Sequence, residues 1–129
     1  MQIVAALFID DIEMRQVPGP ATRIDLRGVQ FSAPAPAPFP ITVDPHLVVL
    51  VHCPAEENGT GVLEVVFTDE SGEEIARNVQ PLQVEPGRFG RQLVRANLTY
   101  PRAGTVHARC RIDQGHVTSV PYTLLEPVG

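Results

Sequence analysis

The sequence predicts an all-β fold, a single antiparallel β-sandwich of immunoglobulin-like or related Greek-key type with about eight or nine strands. Three observations carry that expectation. Thirteen prolines and ten glycines are spread through 129 residues, leaving little room for helices longer than a few turns. Short runs rich in β-branched and apolar residues recur along the chain. Turn signals separate those runs at short intervals, and no helical period or constant internal repeat interrupts them.

The elements follow in order. Residues 2–9, QIVAALFI, form a continuous apolar run that reads as a buried strand, with a short helix as its rival because of Ala5, Ala6 and Leu7. Residues 12–17 are a short strand or an extended arm. Pro18-Gly19-Pro20 is a turn, and Thr22–Phe31 alternates as a half-buried strand. Residues 33–40, APAPAPFP, place proline at every second position and read as a stiff, exposed crossover. Ile41 and Val43 open the next β segment. Leu47–Cys53 is the strongest central-strand signal, stopped by Pro54, and Asn58-Gly59 marks a turn before Val62–Thr68. After a turn at Asp69–Gly72, residues 74–79 and Leu82–Val84 are two weaker strands. Phe89–Tyr100 is one long extended segment. Thr105–Asp113 alternates cleanly, Gln114-Gly115 reads as a tight two-residue hairpin turn, and His116–Leu125 is the last strand. One domain is expected to cover residues 1–129.

Two stretches carry a resemblance. Residues 101–125, PRAGTVHARCRIDQGHVTSVPYTLL, run turn, alternating strand, turn and final strand, as many small β-sandwich domains end. The opening FIDDIEM resembles the buried strand and aspartate turn of a group of uncharacterised bacterial domains of actinobacterial type. The resemblance implies an immunoglobulin-like sandwich and carries over no activity. The chain departs from the true immunoglobulin pattern in having no tryptophan and in having Val106 where a tyrosine is often kept.

Charge and composition narrow the function classes. The formal net charge is −5, all basic residues are arginine, and residues 1–64 hold 3 Arg against 8 Asp or Glu. Such an acidic total argues against a broad nucleic-acid surface. The N-terminus has no positive n-region and no 18-residue apolar stretch, so no signal peptide or membrane span is expected, and a cytoplasmic location follows.

No catalytic constellation stands out. There is no G-x-S-x-G, no HExxH or CxxC, and no lysine for phosphate or Schiff-base work. His46, His52, His107 and His116 are too scattered along the chain for a metal site, and neither metal nor cofactor is expected. The acidic Asp10, Asp11 and Glu13 read as turn solvation. Cys53 and Cys110 both fall on core-facing positions; they are either a disulfide or a pair of buried thiols, and the cytosolic reading favours thiols. Arg91 and Arg95 share one strand face, and Arg109 and Arg111 share another beside His107. If those two strands run side by side they form an exposed arginine ribbon suited to carboxylate or phosphate. Cross-strand pairing with Glu64 or Asp113 explains the same arginines.

The expected function is therefore a non-catalytic protein-interaction or assembly module, with a protein partner or self-association. Small-ligand or anion binding at end loops or on the arginine face is the alternative, and a hydrolase-like enzyme a distant third. A deep apolar pocket with His107 or His116 at its mouth would favour a ligand. A flat apolar patch over residues 2–9 or 33–43 would favour assembly.

Overall fold

The computed structural model describes residues 1–19 and 21–128. All of its regular structure is β, in twelve strands: β1 Gln2–Ile9, β2 Asp11–Arg15, β3 Arg23–Arg27, β4 Ser32–Pro34, β5 Ile41–Val43, β6 His46–His52, β7 Thr60–Thr68, β8 Glu74–Gln83, β9 Phe89–Arg95, β10 Leu98–Tyr100, β11 Gly104–Ile112 and β12 Thr118–Leu125. They form four separate sheets, ordered β1-β6-β9, β10-β5, β4-β12-β11-β7-β8 and β2-β3. None of the four closes on itself.

This corrects the expected architecture. The chain is not a single immunoglobulin-like sandwich of eight or nine strands, and it is not wholly antiparallel, because β4 runs parallel to β12. The extended stretch 89–100 shows how a sheet is broken. Its first half, β9, pairs with β6. At Ala96-Asn97 the chain leaves the ladder, and β10 pairs with β5 in another sheet. The β8 and β9 edges also lie beside each other without a backbone ladder between them. Side-chain amides bridge the gap instead. Asn78 Nδ2 donates to Arg95 O at 3.2 Å, Gln80 Nε2 to Leu93 O at 3.2 Å and Gln92 Nε2 to Gln80 Oε1 at 2.6 Å. Asn78 and Gln80 of β8 thus cap edge carbonyls of β9, and Gln92 of β9 reaches back to Gln80 on β8.

Several local expectations change in the same way. The two weak segments at 74–79 and 82–84 are one strand, β8, running through Pro81. Proline is tolerated there because β8 is an edge and its imide nitrogen has no ladder bond to make. The tight turn expected at Gln114-Gly115 is a wider loop, since the last β11–β12 pair is Cys110 with Thr118. Asp113 takes a left-handed φ of 53° in that loop, and its carboxylate accepts from Val62 N at 3.0 Å. Of the turn at Pro18-Gly19-Pro20, Pro20 lies outside the described residues, and Gly19 has φ 68°. The prolines of residues 33–40 do form a connection, from β4 to β5. It is not wholly exposed, for Ala35 is buried and its N–H donates to Leu125 O at 2.9 Å.

One hydrophobic cluster unites three of the sheets. Ala6 and Phe8 of β1 and Leu47, Val49 and Val51 of β6 meet Leu63, Val65 and Phe67 of β7. Val106, Ala108 and Cys110 of β11 and Leu98 and Tyr100 of β10 complete it. The alternation of β7 and β11 puts every second residue into this cluster, as strand geometry requires. Phe8 and Tyr122 rings lie 4.9 Å apart within it, and the Tyr100 hydroxyl donates to Tyr122 O at 2.9 Å. Burial of that phenol raises its pKa well above the ordinary tyrosine range. The β2–β3 hairpin stands apart from the cluster. Ile12 faces Leu26 and Met14 faces Ile24 across it, while the pairs Arg15–Asp25 and Arg27–Glu13 lie 3.1 and 3.3 Å apart on its other side.

Candidate functional site

Two surfaces hold the residues that chemistry or recognition could use, and they lie on different sheets. The first is the outer face of the five-stranded sheet. On β11 the side chains of Val106, Ala108, Cys110 and Ile112 point into the core, which turns His107, Arg109 and Arg111 outward. Their neighbours come from the register. Arg111 lies opposite Glu64, Arg109 opposite Val66 and His107 opposite Thr68 on β7. On the far side Arg109 faces Ser119 and His107 faces Pro121 of β12. One strand further out, Arg77 of β8 lies opposite Val66.

The carboxylates of this face are fully engaged. Arg77 Nη2 and Nε donate to the two oxygens of Glu74 at 2.7 and 3.2 Å. Arg77 Nη1 donates to Glu64 Oε2 at 2.8 Å, and Arg111 Nε to Glu64 Oε1 at 3.1 Å. The hydrogen bonds from Arg77 hold the Glu74 carboxyl below the usual carboxylate range. The cross-strand pairing expected for Arg111 with Glu64 is thus present. Asp113 takes no part, because its carboxylate is occupied by Val62 N. Arg109 makes no ion pair among the described residues. Glu64, Thr68, Gly72, Glu74, Arg77, Arg109 and Arg111 border an open concavity of about 390 Å³.

The expected arginine ribbon is not formed. β9, which carries Arg91 and Arg95, pairs with β6, whereas β11 lies between β7 and β12. Arg91 and Arg95 do share the outward face of β9 and are exposed, but they sit on another sheet from Arg109 and Arg111. Arg95 Nη2 donates to Asp44 Oδ2 at 2.9 Å, and that bond holds the Asp44 carboxyl below its ordinary range.

The second surface is the outer face of the three-stranded sheet. Register places Leu7 beside Val48 and Val48 beside Leu93; Ala5 lies beside Leu50, Leu50 beside Arg91 and His52 beside Phe89. Val4, at the bulge between Ile3 and Ala5, is 56% exposed, Phe89 54% and Leu93 44%. The Phe89 ring packs on the His52 imidazole, with centroids 4.6 Å apart. β1 is the outer strand of this sheet. Beyond its pairing with β6, its ladder contact among the described residues is one bridge, Phe8 with Gln30. Sequence reasoning found the apolar run 2–9 but missed Phe89 and Leu93. The period-2 pattern of 89–95 held the signal, since Gly90 and Val94 alternate with Phe89, Arg91, Leu93 and Arg95.

The two cysteines are free thiols, both 0% exposed. Of the two alternatives the sequence left open, the structure has the buried thiols and not the disulfide. Burial pushes the Cys110 thiol up to about 12, so it carries no nucleophilic thiolate near neutral pH. Beside His116, a concavity of about 240 Å³ is bordered by Met1, Ile3, Ile112 and Thr118, smaller than the roughly 300–1,000 Å³ of drug-sized ligand pockets. His107 does not border it. Among the described residues no three His, Cys, Asp or Glu side chains group so as to hold a metal ion, and no helix is long and apolar enough to cross a membrane.

No family model, no curated protein and no solved structure matches the chain significantly. The four-sheet topology corrects the resemblance to bacterial domains of actinobacterial type together with the sandwich it implied. Its motifs are the turn and strand signals that many unrelated β proteins share.

Proposed function

We propose that this chain is a non-catalytic assembly module that associates with a second copy of itself through the β1 side of its three-stranded sheet. The observation that carries the reading is the exposed apolar surface of Val4, Phe89 and Leu93, with half-buried Leu7 and Leu50 between them. Exposed apolar side chains grouped on one sheet, with Arg91 the charged residue between Phe89 and Leu93, are a liability for an isolated molecule and an asset for an interface.

A second copy fits this surface better than a charged partner. Gln2–Ile9 contains no charged residue. Two such strands can meet edge to edge across a two-fold axis without setting like charges opposite each other. That pairing would fill the open side of β1 and join two apolar faces into one. The bulge at Val4 re-aims that side chain at a point where strand pairing is irregular.

Static light scattering across a tenfold dilution tests the reading. The wild-type chain is expected to move between dimer and monomer with concentration. Val4→Arg, at an exposed position on β1 itself, is expected to leave the circular dichroism spectrum unchanged and to weaken association at least tenfold, as loss of an interface anchor costs on the order of 1–2 kcal/mol. A monomer at every concentration, or a dimer indifferent to Val4→Arg, overturns it.

A further inference from the structure

We infer that the outer face of the five-stranded sheet is an anion site, in which Arg109 and Arg111 clamp a single phosphate group. The site is independent of the assembly surface, which lies on another sheet.

The face carries an imbalance of charge. Three guanidinium groups and two carboxylates meet around the concavity of about 390 Å³. Glu74 is taken by Arg77, and Glu64 is shared between Arg77 and Arg111. Every acid on the face is thereby consumed, and one whole positive charge, on Arg109, is left over. Its cross-strand neighbours, Val66 and Ser119, bring no carboxylate to neutralise it.

Geometry then favours one kind of ligand. Arg109 and Arg111 are two residues apart on one strand, so their side chains leave the same face about 7 Å apart along it. Arg111 spends its Nε on Glu64, and its terminal nitrogens make no hydrogen bond among the described residues. A tetrahedral oxyanion between the two can accept from the fork of Arg109 on one side and from the ends of Arg111 on the other. Glu64 holds Arg111 in place, which lowers the entropy that binding must remove. The hydroxyls of Thr68 and Ser119 lie on the same sheet face, within the two strands that flank Arg109. A phosphate group suits this arrangement better than a carboxylate. It offers oxygens in three dimensions and carries more than one negative charge, roughly 1.5 to 2, at neutral pH.

The test uses the intact chain and inorganic phosphate as the probe, with chloride holding ionic strength constant. Arginine Nε–Hε and backbone amide resonances are followed by NMR, with acetate in a parallel titration. The expected result is a saturable shift in the low-millimolar range, confined to residues around 64–77 and 107–119. Acetate is expected to bind at least tenfold more weakly. Arg109→Gln is expected to weaken phosphate binding about tenfold, the fold-change of losing one charge-assisted hydrogen bond, while Arg91→Gln leaves it unchanged. Amide spectra of both variants in the absence of phosphate report that the fold persists. Shifts spread evenly over Arg23, Arg91 and Arg102, an Arg109→Gln variant that binds as wild type, or acetate binding as tightly as phosphate overturns the assignment.

Discussion

Asp69 holds its turn with a single carboxylate oxygen. That Oδ1 accepts from the Ser71 hydroxyl at 2.6 Å, from Ser71 N at 2.9 Å and from Glu73 N at 3.0 Å. The Ser71 hydroxyl is the main reason its pKa lies below the ordinary aspartate value of 3.8, aided by the backbone donors. The sign for stability follows directly. Because the folded pKa is depressed, the contribution of Asp69 is present above the unfolded value and is lost as pH falls through the lower folded value. A carboxyl-carbon NMR titration is expected to place the Asp69 midpoint below the ordinary aspartate value, and Ser71→Ala is expected to move it back upward. An unmoved midpoint in Ser71→Ala would exclude the hydroxyl as the cause. The Asp-x-x-Gly signature made this turn legible in the sequence, since both residue types have a local backbone reason to be there. Which of the arginines finds a carboxylate partner was not legible. Arg109 and Arg111 have the same type and the same face, and only the strand order decides which of them meets Glu64.

At the scale of elements, the seam between β8 and β9 is the unusual feature. Gln80 is its centre, donating to Leu93 O and to Asn78 Oδ1 while accepting from Gln92. Gln80→Ala removes three hydrogen bonds and leaves the Leu93 carbonyl without that donor. Urea unfolding is expected to show a loss of about 1–3 kcal/mol, the range for stripping partners from a half-buried polar network. A conservative Gln80→Glu keeps the volume but puts a carboxylate against the Leu93 carbonyl, and is expected to recover stability as the pH is lowered and the side chain regains a proton. The strand at Gln2–Ile9 was readable from its continuous apolar run and that at Thr60–Thr68 from period-2 alternation, because both are properties of the segment alone. The split of residues 89–100 was not, since both halves alternate equally well and the break at Ala96-Asn97 is dictated by which partner strand each half finds.

For the whole molecule, two properties oppose each other. A net charge of −5 makes copies repel, while in the proposed association the uncharged β1 strand and its apolar neighbours are what would draw them together. If association follows the proposed route, added salt screens the repulsion and leaves the apolar contact intact. Sedimentation velocity is expected to show tighter association at about 0.5 M sodium chloride than at low salt, because the screening length there is well under the roughly 10 Å of 0.1 M. Weaker association at high salt would mean that ion pairs, not apolar contact, hold the copies together. The all-β class was visible from composition and pattern together, because the spread of proline and glycine leaves little room for long helices and the runs between them are rich in β-branched residues. The division into four sheets was not, because sheet membership depends on contacts between residues far apart in sequence, such as Ser32–Pro34 with Thr123–Leu125.

That last pairing bears on the order in which the molecule can be made. β12 lies between β4 and β11, so the strand latest in the chain has neighbours on both sides. Strand β4 has its only ladder partner there among the described residues. On a ribosome, the stretch Ser32–Pro34 must therefore wait, unpaired, while some ninety further residues are translated. The five-stranded sheet is completed only once residue 125 has left the exit tunnel, whereas β1 and β6 can pair long before.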